Sequence, residues 1–454
     1  MKDLKIINAK IPFFETNEWE FADILIDGGK IIKIGTVLEE TREVIDAAGQ
    51  VVSPGFIDIH AHEDPLKAGP YDYFTALCEL RMGVTTKVAG NCGENHNDLG
   101  EFCASIAAKG SPTNYMMFVG QSYLRQQVGA SDRYRPSTKA QIDAMKLKLA
   151  EAAQYGPVGL SCGFEYEPGI TTDETVDLLK AFDDEGYLVS VHFRADGAAS
   201  VTSIDELVEI YRRTGYGIQM SHIGSCSAVG YMAEALAHIN QSRNEGVDIS
   251  TDCYPYHAFC TGIGTAVFDD GCFQKWGKGY DALLVTGGKY KNHRCTKEIF
   301  EELRREDPEV YVAAFVMNEE EIDLAYREPF VMVGSDSGFV QGCGHPRGAG
   351  TFPRVLGHYV RERKTMSLMD ALRKMTILPS DRLNLRTKGE IKEGFDADIV
   401  IFDAERILDK ADFEQPTLPP EGIAYVLVDG QIAVKGKAVV NGTLGRYIPY
   451  QNRV

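Results

Sequence analysis

Residues 51–64 read VVSPGFIDIHAHED. An apolar run follows a Pro-Gly pair and ends on two histidines one residue apart, His60 and His62. A continuous apolar run of this length reads as a strand buried on both faces. Side chains on a strand repeat every two residues, so both imidazoles leave its end on the same side. An HxH pair alone is a weak signal. What the rest of the chain sets beside it decides its meaning.

Seven more runs of the same kind follow: GVTTKVAGNC, YMMFVGQ, VGLSCGF, YLVSVHFR, YGIQMSHIG, VDISTDCYP and FVMVGSDS. Most are continuous rather than alternating, as parallel strands covered on both faces require. Amphipathic stretches separate them, among them STKAQIDAMKLKLAEAAQYG and TDETVDLLKAFDDEG. In the latter, Thr172 or Asp173 is a candidate N-cap and Gly186 a stop. Eight strand–helix alternations predict an α/β fold of the (β/α)8 TIM-barrel type. An open doubly wound sheet is the alternative, but no GxGxxG follows the first strand.

The two ends of the chain differ from the middle. Both alternate apolar and polar residues in short runs punctuated by turns, as in FADILIDGGKIIKIGTV and IAYVLVDGQIAVKGKAVVNG. The DGGK at 27–30 is a hairpin signal. Residues 1–52 and 385–454 therefore predict one small β-sandwich domain, since chain ends often lie close together. Residues 53–384 predict the barrel. The seventh and eighth strands are too far apart for a plain connection, which places an insertion within about 255–329. Long excursions at the top of a barrel usually shape its site.

The 454 residues are 44% hydrophobic and 25% charged, enough to bury a large core without staples. The net charge of −19 argues against nucleic acid or an anionic membrane as the main partner. No window approaches the roughly 18 apolar residues of a membrane span. The opening residues show neither a long apolar segment nor a small-residue cleavage site, so the expected location is cytoplasmic. The ten cysteines are scattered without a CxxC pair and are expected as free thiols.

The metal-binding residue types fall at strand ends. His60 and His62 end the first run, Cys92 the second, His192 the fifth, His222 the sixth and Asp336 the eighth. These are C-terminal ends, where barrel enzymes build their sites. His62 to Cys92 and His192 to His222 are each 30 residues, close to the roughly 31 per unit of a typical barrel. Imidazole and thiolate both suit zinc. Six protein ligands are too many for one zinc with an open position and about right for two. His96, His238, His293 and His358 fall in helical or loop segments and are expected to be structural.

Taken together, PGFIDIHAHED, GVTTKVAGNCG, GLSCGFEYEPG, QMSHIG, DCYPY, VGSDS, HPRGAGTFPRVLG and EGFDADIVIFD resemble the amidohydrolase superfamily. They resemble more closely its N-acyl-D-amino-acid deacylase branch, the D-aminoacylases. The likeness spans nearly the whole chain. It implies a zinc-dependent hydrolase that cleaves the amide of a small-molecule N-acyl-D-amino acid. It implies a tight zinc on Cys92, His192 and His222, and a second, weaker site involving His60, His62 and Asp336. Asp336 would be the general acid and base. Tyr254 and Arg354 would hold the substrate's α-carboxylate, which suits the planar fork of arginine.

The sequence also departs from the branch. Many members carry a lysine two positions after the sixth-strand histidine, where this chain has Gly224. Cys260 and Thr261 stand where small hydroxyl residues are usual. These changes bear on the acyl or side-chain preference rather than on the hydrolytic core. His257 and His345 lie close to the expected mouth. Other readings are a dipeptidase, a cyclic-amide hydrolase of the dihydroorotase or hydantoinase type, and a non-catalytic scaffold. The cyclic-amide hydrolases usually bridge their metals with a fourth-strand lysine, and VGLSCGF has none.

Overall fold

The computed structural model describes residues 1–66, 72–182 and 186–450. Eight parallel strands occupy the eight apolar runs. They are Phe56–Asp58, Val84–Ala89, a third strand in two pieces (Asn114–Met117 and Val119–Gly120), Gly159–Gly163, Leu188–His192, Gly217–Met220, Ile249–Cys253 and Val331–Val333. Each pairs with its sequence neighbour, as in Gly163↔His192 and Met220↔Thr251. The third strand bends at Phe118, so its first piece pairs with the second strand and its second piece with the fourth. The barrel closes between the first and eighth strands at a parallel bridge, Ala61↔Ser337. That bridge sits between His60 and His62. Asp336 N–H donates to the His60 carbonyl at 2.7 Å and His62 N–H to the Ser337 carbonyl at 3.2 Å.

The strands carry aliphatic residues on both faces because helices cover the outside and side chains fill the inside. Leu160, Val189, Val191, Ile218 and Ile249 are fully buried, each contributing about 1.5–3 kcal/mol. The helix Lys139–Ala153 starts at Thr138, which forms a capping box with Gln141. The helix Thr172–Leu179 begins one residue earlier than the sequence suggested. Thr171 has the extended backbone an N-cap needs and accepts from Glu174 N–H at 3.1 Å, whereas Thr172 and Asp173 are already helical. This helix ends before Gly186, and residues 183–185 lie outside the described set.

The chain ends together build a nine-stranded sheet. Five strands come from residues 2–54 and four from 399–439. Gly28 and Gly29, both at positive φ, close the hairpin between Glu18–Asp27 and Lys30–Gly35, as a two-residue I′ turn requires. The strand Lys2–Phe13 shifts register between Ile6 and Ala9 and divides its pairing there. Its first half runs parallel to Thr41–Asp46, and Lys10 meets Val51. The buried faces form a core of their own that includes Ile6, Ile24, Ile45, Ile399 and Leu427. The tail leaves the sheet after Val439 and lies along the barrel, with bridges Ser111↔Gly445 and Tyr115↔Tyr447.

Between the seventh and eighth strands the chain forms a three-stranded antiparallel sheet with Tyr311–Ala314 at its centre, flanked by Phe259–Gly262 and Leu283–Val285. Two helices accompany it, Cys272–Trp276 and Lys297–Glu306. The next helix, Glu319–Arg327, packs back against the barrel helix Met232–Asn244. Among the described residues no helix is long and apolar enough to cross a membrane.

Candidate metal centre

Five strand ends converge on one point. Cys92 Sγ lies 3.5 Å from His60 Nε2, 3.5 Å from His222 Nε2 and 4.0 Å from His192 Nδ1. His192 Nδ1 is 3.1 Å from His222 Nε2. Asp336 Oδ1 is 3.6 Å from His60 Nε2 and 3.1 Å from His62 Nε2. The donor atoms of His60, Cys92, His222 and Asp336 all lie within 4.8 Å of one another. All six residues expected at a metal site are therefore in one cluster, with His62 toward its outer edge.

Three of these residues depart from ordinary backbone. Cys92 has φ 55, His222 φ 30 and Asp336 φ 50. Non-glycine residues rarely enter this region, and doing so costs on the order of 1–3 kcal/mol. Each lies just past the end of its strand, so the chain turns sharply and aims the side chain over the barrel axis.

The electrostatics suit a cation. Burial pushes the Cys92 thiol well above its usual range, and the facing Asp336 carboxylate adds to the shift. Burial holds His192 down to about 4 and His222 well below the histidine range, so each imidazole is neutral with a lone pair to give. At His60 burial pulls downward, but the Asp252, Asp336 and Asp58 carboxylates together outweigh it and the net shift is upward. At Asp336 burial acts upward, but Arg347 together with His222, His62 and His60 outweighs it, leaving the carboxyl well below its usual range. A buried set of sulfur, imidazole and carboxylate donors crowded this closely is the chemistry of a zinc site.

Three of the imidazoles are also braced from behind. His60 Nδ1 faces Asp252 Oδ1 at 3.2 Å, and that oxygen accepts the backbone N–H of His222 at 3.0 Å. His222 Nδ1 faces Ser225 Oγ at 2.7 Å. His192 Nε2 faces Glu165 Oε2 at 3.1 Å. The sequence reading did not pick out Asp252 or Glu165. The available signal was an acidic residue at or just past the end of an apolar strand.

Two connected spaces open onto the cluster. An inner pocket is lined by His192, His222, Ser225, Tyr254, Phe259 and Asp336, among others. An outer cleft of about 400 Å³ reaches the surface past His62, Cys92, Thr261, Tyr311 and Arg347. Tyr166, Cys260 and Asp336 border both.

Tyr254 stands in the wall as expected, but Arg354 does not. Its Nε donates to the Pro255 carbonyl at 2.7 Å and its Nη1 pairs with Asp409 at 3.3 Å, away from the cavity. Arg347 occupies the place instead. Its guanidinium lies 4.8 Å from the Tyr254 ring centroid, and Nη2 is 2.9 Å from Asp336 Oδ2. Among the described residues, Arg347 Nη1 is buried without a hydrogen-bond partner, and the Tyr254 hydroxyl, beside Ser225, makes no bond of normal geometry. Arg347 follows Asp336 by 11 residues in the run GHPRG.

His345 is a buttress. One ring nitrogen faces the Ala258 carbonyl at 3.1 Å and the other accepts Arg347 N–H at 3.0 Å. His257 is exposed, its ring set against Phe315, and it is in the lining of neither space. His96, expected to be structural, lies on the rim of the cleft. A side chain at Gly224 would start 3.0 Å from the Met317 methyl and 3.1 Å from Cys253 Sγ, so those neighbours would have to give way to admit one.

The amidohydrolase family profile, Amidohydro_3, matches residues 322–434. An N-acyl-D-glutamate deacylase of Alcaligenes xylosoxydans xylosoxydans is 31% identical over 90% of this chain and 89% of its own length. A D-aminoacylase of the same organism is 29% identical over 94% and 93%. The crystal structure of an N-acyl-D-glutamate deacylase from Bordetella bronchiseptica superposes with a TM-score of 0.87. It is 27% identical, and the match covers 99% of this chain and 100% of that one. That structure holds zinc and a phosphonate inhibitor that mimics the tetrahedral intermediate. With the strand ends, the sheet from both termini and these likenesses agreeing, the chain belongs to the amidohydrolase family, on its N-acyl-D-amino-acid deacylase branch.

Proposed function

We propose that this chain is a zinc-dependent deacylase that hydrolyses small N-acyl-D-amino acids to a carboxylate and a free D-amino acid. One observation carries the reading: Arg347 Nη1 is buried and unpartnered among the described residues, and its guanidinium lies over the Tyr254 ring at the edge of a buried sulfur–imidazole–carboxylate cluster. A buried donor without a partner costs about 1–3 kcal/mol. An α-carboxylate accepting from the guanidinium and the phenol would remove that cost and set the neighbouring amide over the cluster. The D preference rests on the relatives' activities.

The donor set fits zinc. Cys92, His192 and His222 would hold the tight ion, and His60, His62 and Asp336 a second, weaker one. Zinc bound here supplies Lewis acidity, which acidifies water and polarises an amide carbonyl. The chain's own groups do the rest. Asp336, held ionised by Arg347, takes the proton of the attacking water at a carboxylate oxygen and returns it to the leaving nitrogen. Arg347 and Tyr254 hold the substrate by its carboxylate. The buried walls around Tyr254 and Phe259 keep bulk water from the inner pocket. All ten cysteines are unpaired, which supports a reducing, cytoplasmic setting.

The test is amine release from matched N-acyl-D- and N-acyl-L-amino acids after zinc loading, followed by the same panel on Arg347→Met. Turnover of D substrates, with KM raised about 100-fold in the variant, is expected from loss of a buried charge-assisted hydrogen bond to the carboxylate. Turnover of L substrates alone, or of cyclic amides alone, would overturn the reading.

A further inference from the structure

Three of the cluster's four imidazoles are braced from behind, each differently. Ser225, which braces His222, lies three residues from it on the same turn, and Asp252, which braces His60, stands on the seventh barrel strand. The brace of His192 reaches further. Glu165 Oε2 faces His192 Nε2 at 3.1 Å, and Glu165 Oε1 accepts from Lys275 Nζ at 2.8 Å. Lys275 Nζ also lies 3.2 Å from Asp196 Oδ2. That oxygen accepts from Trp276 Nε1 at 3.2 Å. Lys275 and Trp276 end the short helix Cys272–Trp276 of the insertion. Trp276 sits among Phe259, Phe268 and Phe273, with ring centroids 5.5–6.1 Å apart. The stem of Lys275 covers Gly197.

This is a continuous path from the insertion to a donor atom. His192 directs Nδ1 at Cys92 and His222. For Nδ1 to give its lone pair to a metal, the proton must sit on Nε2, where Glu165 accepts it. A carboxylate there fixes the tautomer and raises the donor strength of the ring. Glu165 can do this only while it stays in place. Both it and Asp196 are almost fully buried, and two buried carboxylates side by side repel each other unless a cation separates them. Lys275 is that cation.

We propose that Lys275 and Glu165 are positioning residues for the metal: through them the 255–329 insertion sets the orientation and donor strength of His192, and hence the zinc affinity of the centre. The inference rests on the reading of His192 as a zinc ligand given above.

The test is zinc affinity of the full-length chain, measured by competition with a chromophoric chelator, with no substrate present. Glu165→Gln keeps the volume and removes the charge. Lys275→Met keeps the stem and removes the ammonium. Each is expected to weaken zinc binding about 10–100-fold, the usual cost of losing such a partner. Lys275→Arg should restore most of the loss. The double variant should bind no more weakly than Glu165→Gln alone, because both act through one atom. The melting transition of each metal-free variant is recorded beside wild type, and Lys275→Arg provides the comparison at unchanged charge. Wild-type affinity in Lys275→Met and Glu165→Gln, or strictly additive losses in the double variant, would overturn the inference. A wild-type chain that takes up no zinc would instead fail the underlying reading.

Discussion

Two clusters of buried charge lie at opposite ends of the barrel, and they are built in opposite ways. At the N-terminal end, Lys388 sits between Asp396, at 3.0 Å, and Asp398, which it also contacts. Asp396 is reached by Lys30, and Asp398 accepts from Asn114 Nδ2 at 3.0 Å and from Asp429 N–H at 2.8 Å. Every charge there has its opposite, and the cluster ties the sheet of the chain ends to the start of the third strand. At the C-terminal end, Cys92, His60, His192 and His222 turn lone pairs toward one another. The cation of that neighbourhood, Arg347, is engaged with Asp336. Buried polarity that neutralises itself is scaffold. Buried polarity that converges on a shared point requires something to fill it, and three strained backbone positions hold it that way.

The largest effect should follow from breaking the chemistry at the C-terminal end without disturbing its donors. Asp336→Asn keeps the shape of the side chain and the sulfur and imidazole set. We expect full zinc at the tight site and a fall in turnover of roughly 10³-fold, the scale of a lost general acid and base. Zinc content by elemental analysis and the rate of amine release measure the two halves separately. Near-normal turnover in that variant would remove Asp336 from the reaction.

The scaffold cluster should answer in the opposite currency. Lys388→Met leaves two buried carboxylates facing each other, and breaking a buried pair in this way costs about 3 kcal/mol. The denaturation midpoint should fall clearly while zinc affinity stays at the wild-type value. An unchanged midpoint, or a loss of zinc as large as the loss of stability, would mean that the two ends are not independent.

Much of this was readable in advance because the physics is local. Parallel strands buried on both faces need unbroken aliphatic runs, so all eight stood out. Their ends carried Cys92 and the histidines at a spacing that a barrel explains. The residues that were not readable depend on rotation and on long-range approach. Arg347 and Arg354 lie on one helix, seven residues apart. Two helical turns put them near the same face but about 10 Å apart along the axis. Which of them meets Asp336 is decided by where the helix starts, and only Arg347 stands in its first turn. Lys275 is further out of reach, 110 residues from Glu165 in an insertion of its own fold.

Acidity separates the clusters more gently. Burial raises the Cys92 thiol well above its ordinary range, so at neutral pH the metal-free chain carries that proton. Zinc must displace it, and the equilibrium therefore favours binding as pH rises. The apparent zinc affinity should increase about tenfold per pH unit between pH 6 and 8, if one proton leaves with each ion. Chelator competition at three pH values reads the slope directly. A flat profile would show that the thiol is already ionised in the metal-free chain and would take Cys92 out of the tight site.

The smallest effect is expected at Arg354, and its smallness is informative. This side chain braces Pro255, the residue after Tyr254, and pairs with Asp409, whose side chain is largely buried. It touches neither the cluster nor the cavity. Arg354→Met should cost about 1 kcal/mol of stability, the upper range for a partly exposed pair. It should move KM for an N-acyl-D-amino acid by no more than about threefold, through a slight loosening of the Tyr254 backbone. Arg347→Met, two turns away on the same helix, is expected to raise KM about 100-fold. Equal effects of the two substitutions on KM would mean that the carboxylate is held jointly, by a helix that shifts when substrate enters. A large effect at Arg354 alone would return the contact to the position the sequence first suggested.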